Sequence, residues 1–267
     1  MVEDVEGAPL AGIGVLVTRP AHQAEPLCRL IEAGGGRAIR FPVLEILDPA
    51  DRGPLLALID RLDTFDLAIF ISPNAVTKTL NLLLGRRALP AGLRIAAIGR
   101  GSARELERAG VRADIVPPRP FNTEALLATP QMQAAAVAGR RVVIFRGEGG
   151  RELLGDELRR RGAQVEYAEA YRRGRPDADV GRLLRHWARG ELQIVTVTSG
   201  EGLRNLFELV GKLGRQWLRR TPLAVVGERT AALARELGCR EAVLVAAEAS
   251  DEALVAAVAE WRRGSRA

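Results

Sequence analysis

The sequence predicts an α/β fold made of two similar, doubly wound parallel-sheet domains of the flavodoxin-like type. Three observations lead to this prediction. The chain has 267 residues, enough for two domains of ordinary size. Short apolar runs alternate with amphipathic segments throughout, as strands and helices do in parallel sheets. The same blocks also occur twice, in the same order, at a spacing close to half of the chain.

Three pairs of blocks carry this internal repeat. The first pair is GIGVLVTRPAHQAEPLCRLIEAGGGRAIRF and GRRVVIFRGEGGRELLGDELRRRGAQVEYA. The second pair is DLAIFISPNAVTKTLNLL and LQIVTVTSGEGLRNLFELV, and the third is LRIAAIGRGSARELERAGV and TPLAVVGERTAALARELGC. The spacing hardly changes, since 146 minus 19 and 199 minus 72 both give 127 for the matched arginines and serines. Such regularity indicates two copies of one structural unit.

Each block reads as a strand, a turn and a helix. The predicted strands are the apolar runs VLVT, LAIFI, RIAAI, VVIF, IVTVT and LAVV. Apolar runs without polar alternation are typical of strands covered by helices on both faces. The helices that follow begin at Ser, Thr, Asp or Pro, which are common at helix N-termini. The matched turns are therefore predicted to be equivalent strand-to-helix connections.

Two extended segments determine the predicted domain organisation. Residues 37–48 and 164–174 occupy equivalent positions in the repeat, and each follows a strand–helix unit. If both cross between the domains, they form a two-stranded connector and one domain is discontinuous. We therefore expect residues 1–40 and 173–267 to form one domain and residues 41–172 to form the other.

Composition excludes several classes of protein. No apolar run approaches the roughly 20 residues that span a bilayer. The acidic segment MVEDVEGAPLAG does not resemble a signal peptide, so a cytoplasmic protein is expected. Two cysteines and two histidines are scattered and predict neither a metal site nor a disulfide framework. The net charge of +6, with 37 arginines, allows a polyanionic partner, but charge alone favours a solvated basic surface.

The ordered blocks resemble the uroporphyrinogen-III synthase family over almost the whole chain. The resemblance rests on VLVTRPAHQAEPLCRLIEAGGGRAIRFPVLEI, FISPNAV, IAAIGRGSARELERAGV, AEAYRR, VTSGEGL and VVGERTAALARELG. It implies two α/β domains joined by a β-ladder, a cleft between them and no cofactor. One departure is Gly200, where the family more usually has a proline, whereas Pro73 keeps the proline in the first copy.

The resemblance also implies the reaction. The substrate would be hydroxymethylbilane, a linear tetrapyrrole with eight carboxylates and a terminal hydroxymethyl group. Loss of the hydroxyl gives a cationic azafulvene, which attacks the substituted end of ring D. The resulting spiro intermediate fragments and recloses with ring D inverted, and water is lost overall. Because the substrate also closes without inversion when uncatalysed, orientation is expected to dominate catalysis.

A substrate with many carboxylates needs hydrogen-bond donors, and the predicted turns supply them. Helix N-termini bind anions, and ligands of open α/β sheets bind at the carboxyl ends of strands. Each hydroxyl could instead be a plain helix cap, contributing about 1 kcal/mol. The predicted substrate-binding residues are Arg19, Ser72, Arg100, Ser102, Arg146, Ser199 and Thr230. Tyr171 in AEAYRR matches the family's tyrosine and is the predicted catalytic residue, although an aromatic in a strand also packs on its neighbours.

An alternative is a cytoplasmic two-lobed protein that binds or senses a polycarboxylate without converting it. Product chemistry distinguishes the two functions. A nucleic-acid partner is not expected, because no helix-turn-helix remains once the two repeats are assigned. We also expect no membrane association, a monomer, and a possible transient transfer of substrate from hydroxymethylbilane synthase.

Overall fold

The computed structural model describes residues 8–265. Residues 1–7, which contain most of the acidic segment used above to argue against a signal peptide, lie outside the described part. The chain divides into two compact units. We call Met1–Glu45 with Gly174–Ala267 the split unit, and Ile46–Arg173 the inserted unit.

Strands and helices alternate along the chain, as the repeat predicts. The strands are β1 (Gly14–Val17), β2 (Arg37–Arg40), β3 (Glu45–Leu47), β4 (Leu67–Phe70), β5 (Arg94–Ala97), β6 (Arg141–Gly147), β7 (Gln164–Gly174), β8 (Ile194–Val197), β9 (Leu223–Val226) and β10 (Val243–Ala246). The helices are α1 (Ala21–Ala33), α2 (Gly53–Asp60), α3 (Pro73–Leu84), α4 (Arg100–Arg108), α5 (Thr123–Leu127), α6 (Ala134–Val137), α7 (Leu153–Arg160), α8 (Val180–Ala188), α9 (Gly200–Leu209), α10 (Gly211–Leu218), α11 (Glu228–Glu236) and α12 (Asp251–Gly264).

The split unit contains a parallel sheet with the strand order β2-β1-β8-β9-β10. Counted along the unit's own chain, this order is 2-1-3-4-5, that of flavodoxin-like folds. Two buried threonines join the central strands, because Thr18 Oγ1 donates to Thr196 O at 2.7 Å and Thr196 Oγ1 donates to Leu16 O at 2.8 Å. These reciprocal bonds fix where the carboxyl ends of β1 and β8 lie relative to each other.

The central strands of this sheet are buried on both faces, which explains their uninterrupted apolar runs. On β1, Leu16 packs into a cluster with residues of α8, α9 and α11. Val15 and Val17 point the other way and pack with residues of α1 and α12. Helix layers on both faces thus leave the carboxyl edge of the sheet as the place where the loops gather.

The inserted unit has the strand order β3-β7-β6-β4-β5, and the β6–β7, β4–β6 and β4–β5 pairs are parallel. Ile115 adds an isolated parallel bridge beside Ala96, next to β5. Phe70 and Phe145 stack across β4 and β6 with their ring centroids 4.9 Å apart. The order β7-β6-β4-β5, followed by the Ile115 bridge, corresponds to the order β2-β1-β8-β9-β10 of the split unit. Strand β3 is an additional strand at the β7 edge.

The internal repeat and the compact units do not coincide. Strands β1 and β6 begin 127 residues apart (141 minus 14), as do β2 and β7 (164 minus 37) and β4 and β8 (194 minus 67). Yet β1 of the first copy pairs with β8 of the second copy, and β6 of the second copy pairs with β4 of the first. Each unit is therefore assembled from strands of both copies.

The two extended segments differ in regularity. Residues 164–174 form the continuous strand β7, whereas residues 37–48 are split into β2 and β3. Pro42 interrupts this segment because it has no backbone N–H to donate. The interrupted part is nevertheless fixed, since Val43 N donates to Thr18 O at 3.2 Å and Asn205 Nδ2 donates to Val43 O at 3.1 Å.

Candidate functional site

The carboxyl edge of the inserted unit's sheet gathers five of the residues predicted from the sequence, with Ser102 following Arg100 at the start of α4. Parallel pairing places the ends of β4, β5, β6 and β7 at one edge of this sheet. Ser72 follows β4, Arg100 follows β5, Arg146 lies near the end of β6, and Tyr171 lies near the end of β7.

Ser72 and Tyr171 form the central contact of this edge. Their hydroxyl oxygens are 3.1 Å apart. Ser72 is also the N-cap of α3, where its Oγ accepts a hydrogen bond from Ala75 N at 3.1 Å. Tyr171 is only 2% exposed, so its hydroxyl is held in a largely desolvated position. The structure therefore joins a helix N-terminus, a serine and a phenol in one chain of hydrogen bonds.

The ring of Tyr171 packs directly on the backbone of Gly147. A Cβ placed on this glycine would lie 2.6 Å from Tyr171 Cζ, closer than carbon atoms approach in proteins. The register of β6 and β7 shifts at this point, so that Arg146 pairs with Glu169 but Gly147 pairs with Tyr171. The shift leaves Ala170 out of the pairing, as in a β-bulge, and re-aims the Tyr171 side chain.

Arg146 is a buried cation with spare donors. It is 5% exposed, and its guanidinium carbon lies 4.2 Å from the centroid of the Tyr167 ring. Its Nη2 is 3.7 Å from Glu169 Oε1, which is a loose ion pair. Within residues 8–265, Nε and Nη1 have no hydrogen-bond partner. Because buried donors are normally satisfied, this guanidinium is suited to receive an anion or water.

Arg100 and Ser102 lie at the start of α4, next to α3. Arg100 is exposed and lies 5.4 Å over the Phe121 ring, whereas Ser102 is 2% exposed. Gly99, not Ser102, is the N-cap of this helix. A Cβ on Gly101 would be 3.3 Å from Pro73, so the first turns of α3 and α4 are close neighbours. Two helix N-termini thus lie together at this edge.

The split unit places the other predicted residues at the carboxyl edge of its own sheet. Arg19 follows β1, and its Nη2 lies 2.8 Å from Asp251 Oδ1 at the start of α12. Burial raises the pKa of the Asp251 carboxyl above its usual value, although the charge of Arg19 acts in the opposite direction. Arg19 Nε is buried and has no partner among the described residues.

Ser199 and Thr230 follow the adjacent strands β8 and β9, but they have different local roles. Ser199 caps α9 by accepting from Gly202 N at 3.0 Å, despite the glycine at position 200. Thr230 is 6% exposed within α11, whose N-cap is Gly227 with a φ of 77°. Thus Ser72 and Ser199 are caps, whereas Ser102 and Thr230 are buried inside the first turns of their helices.

Three residues of these edges escaped the sequence reasoning. Gly147 is required by a close approach to a tyrosine 24 positions later (171 minus 147), which no local pattern reveals. Glu169 and Asp251 are the carboxylates beside Arg146 and Arg19. A signal for Asp251 did exist, because ASDEALVA matches FNTEALLA weakly as a fourth pair of repeated blocks, but its acid is equally typical of the start of a helix.

The rest of the described chain contains none of the predicted site residues. In the split unit, a cavity of about 520 Å³ lies beside β2 and α8. Three arginines, two aspartates and His186 line it together with apolar side chains, and none of the predicted site residues belongs to it. Within residues 8–265, we find no group of three His, Cys, Asp or Glu side chains arranged to hold a metal ion. None of the described helices has both the length and the apolarity needed to cross a membrane.

Comparison with known proteins connects these observations to a family. The family model described as "Uroporphyrinogen-III synthase HemD" matches residues 25–256. Uroporphyrinogen-III synthase of Escherichia coli is 36% identical over 249 residues, covering 92% of this chain and all of that protein. The enzyme of Salmonella typhimurium is 37% identical over 251 residues, with the same coverage.

A solved structure shows the same fold. The crystal structure of a mutant uroporphyrinogen III synthase from Thermus thermophilus aligns with a TM-score of 0.60 and 22% identity, covering 95% of this chain and 99% of that one. The resemblance deduced from the ordered sequence blocks is therefore confirmed, and so is the α/β fold class. This chain belongs to the uroporphyrinogen-III synthase family.

Proposed function

We propose that this protein converts hydroxymethylbilane into uroporphyrinogen III, inverting ring D and releasing water, in tetrapyrrole biosynthesis. The observation that carries the proposal is the identity of 36% to a uroporphyrinogen-III synthase over the whole length of that enzyme. The partly buried Ser72–Tyr171 pair adds a chemical reason, because it presents a phenol at the edge where ligands of such sheets bind.

Substrate binding is proposed to depend on arginines and helix N-termini. Arg19 and Arg146 occupy matched positions of the repeat, and each has a buried Nε without a partner among the described residues. An arginine with spare donors suits a carboxylate. Arg100, Ser102, Ser199 and Thr230 belong to the first turns of helices or cap them, where backbone N–H groups attract anions.

Tyr171 is proposed to assist departure of the hydroxyl group. As the bond between the methylene carbon and its oxygen breaks, the electron pair stays on oxygen and the phenol supplies a proton, so that water leaves. The chain then has to hold the cationic azafulvene against the substituted carbon of ring D. Orientation of this kind supplies much of the rate in reactions between two parts of one substrate.

Product analysis tests the activity. The purified protein, incubated with freshly made hydroxymethylbilane and with neither metal nor cofactor added, is expected to yield uroporphyrinogen III. The products are oxidised to porphyrins and their isomers separated by chromatography. Formation of the type I isomer alone would overturn the assignment and favour the alternative of a protein that binds the polycarboxylate without converting it.

We further propose that residues 1–40 with 173–267 and residues 41–172 behave as two domains, with the crossover segments as their link. The compact units, which divide at Glu45/Ile46 and Arg173/Gly174, support this layout. Limited proteolysis with mass spectrometry is expected to cut first within residues 173–177, where alternate side chains are exposed. Early cuts concentrated near residue 135, between the two copies of the repeat, would contradict it.

The proposed enzyme is a cytoplasmic monomer that receives its substrate from hydroxymethylbilane synthase, in a transient transfer. Light scattering across a range of concentrations tests the monomer, and cell fractionation tests the location. Transfer predicts that adding the upstream enzyme reduces the release of free hydroxymethylbilane, measured as its spontaneous type I product. An unchanged type I fraction would count against direct transfer.

A further inference from the structure

The Tyr171 hydroxyl is restrained from two sides by residues of its own unit. Ser72 contacts the oxygen at 3.1 Å. Gly147 lies against the ring, since a Cβ there would be 2.6 Å from Cζ, 2.7 Å from Cε2 and 3.0 Å from the hydroxyl oxygen. The backbone of Tyr171 is fixed as well, because Glu148 N donates to Tyr171 O at 2.7 Å. Little freedom remains for the phenol.

Either hydroxyl can be the donor of the hydrogen bond between Ser72 and Tyr171, and the surroundings of Ser72 allow it to donate. A serine hydroxyl has one proton to donate and two lone pairs to accept with. Ser72 Oγ already accepts from Ala75 N at the N-terminus of α3, so its own proton is free for Tyr171. The positive end of the helix dipole also strengthens Ser72 as a donor. If Ser72 donates, the Tyr171 proton is left for a different acceptor.

Gly147 is a glycine because of the tyrosine and not because of its backbone. Its φ is not among the positive values that favour glycine in this structure, so an alanine could adopt the same backbone. The nearest obstacle to a side chain is the Tyr171 ring, since the three nearest atoms to a Cβ all belong to it. An alanine at this position would therefore displace the phenol.

We infer that Ser72 and Gly147 are positioning residues that fix Tyr171 as the proton donor of the dehydration step. This inference rests on the proposed function. Ser72 donates to the phenol oxygen, and Tyr171 donates its proton to the departing hydroxyl, which leaves as water with the electron pair of the broken carbon–oxygen bond. The phenolate that remains is stabilised by Ser72. It regains a proton when the substrate carbon that joins in the ring closure loses its hydrogen.

Gly147→Ala tests the packing, and Gly155→Ala is its matched control. A Cβ on Gly155 would lie 2.2 Å from the hydroxyl of Tyr167 and 2.7 Å from its Cζ, so the control disturbs a tyrosine just as severely. We expect kcat of Gly147→Ala to fall by up to roughly 100-fold, as small misplacements of a reacting group do. KM of Gly147→Ala should stay within about threefold. Gly155→Ala should lose thermal stability but keep kcat, and any effect that reaches Arg146 through the Tyr167 ring should change KM instead.

Ser72→Ala tests the hydrogen bond, with Ser250→Ala as the control for a lost helix cap. Ser250 caps α12 by accepting from Ala253 N at 3.1 Å, the distance seen at Ser72. Both variants should show a similar decrease in melting temperature, because each loses one helix cap. Ser72→Ala should lower kcat as well, and Ser72→Thr, which keeps a hydroxyl, should restore most of it.

A double variant separates action through Tyr171 from a direct contact with substrate. If Ser72 acts through the phenol, Ser72→Ala should have little further effect on kcat in the Tyr171→Phe background. Additive losses would overturn the inference, and so would a Gly147→Ala enzyme with normal kcat. Failure of the proposed function looks different, because the unaltered protein would then make no uroporphyrinogen III at all.

Discussion

The guanidinium of Arg19 lies 2.8 Å from the carboxylate of Asp251, at the carboxyl edge of the split unit's sheet. If Arg19 binds a substrate carboxylate, Asp251 competes for the same donors. Asp251→Asn keeps the shape of the side chain and removes its charge, so KM should decrease several-fold with little change in kcat. Arg19→Gln should raise KM instead. Steady-state kinetics decides, and a higher KM in both variants would show that Asp251 holds Arg19 in place rather than competing.

Asp251 should make the free energy of unfolding depend on pH. Burial raises the pKa of Asp251 in the folded state above its unfolded value of about 3.9. The folded state therefore binds more protons between those two pKa values, and this group adds stability as the pH falls through its folded pKa. Relative to Asp251→Asn, the unaltered protein should become more stable as acid is added, measured by urea unfolding between pH 6 and 4.

Glu157 should change the stability with pH in the direction opposite to that of Asp251. The pKa of its carboxyl is lowered to about 2, chiefly by hydrogen bonds from the Arg160 guanidinium and also by Arg161. Its contribution to stability is thus present above the unfolded pKa of about 4.3 and is lost as the pH falls towards 2. The difference in the free energy of unfolding between the unaltered protein and Glu157→Gln should therefore become smaller as the pH falls. An identical pH dependence for the Glu157 and Asp251 variants would contradict both assignments.

Tyr171→Phe removes one hydroxyl and leaves the ring against Gly147. If the phenol protonates the departing hydroxyl, kcat should fall by a factor within the roughly 10²–10⁴ typical of general acid catalysis. The melting temperature should change little, because the packing of the ring is kept. Turnover and the ratio of type III to type I product are measured together. Full turnover with full isomer fidelity would assign catalysis to orientation alone.

Ser102→Ala and Thr230→Ala test donors at the starts of α4 and α11. Neither residue is the N-cap of its helix, so a cap effect on stability is not expected. A hydroxyl that donates to a substrate carboxylate should raise KM roughly tenfold or more when removed, since bonds to charged groups contribute about 1.5–3 kcal/mol. The control is Thr129→Ala, which removes a buried hydroxyl that donates to Leu126 O. An unchanged KM in both variants would exclude them from binding.

Much of the fold could be predicted from the sequence, because strands that are buried on both faces consist of short apolar runs. The predicted strands VLVT and LAIFI correspond to β1 and β4, which are almost wholly buried. The extended segment 37–48 was predicted less well. Pro42 interrupts it because proline has no backbone N–H to donate. The contacts that fix Val43 there, with Thr18 and Asn205, are distant in sequence.

The site could be predicted in outline but not in its contacts. Strand ends followed by Ser or Arg are visible in a sequence, because parallel sheets bring such turns to one edge. The bulge at Ala170 and the approach of Gly147 to Tyr171 are not visible, since they depend on the register between two strands. Likewise, the sequence does not tell that Ser72 caps its helix while Ser102 lies buried inside one.

The pairing of β1 with β8 has a consequence for how the protein is made. Strand β1, Gly14–Val17, lies beside Ile194–Val197, so this central partner is synthesised about 180 residues later. The inserted unit has all of its strands once Gly174 has emerged, before β8 exists. It can therefore complete its sheet during translation. The edge of β1 that later pairs with β8 stays unpaired, and it is apolar. Contacts this distant along the chain slow folding, and premature release of the chain leaves that edge open to aggregation.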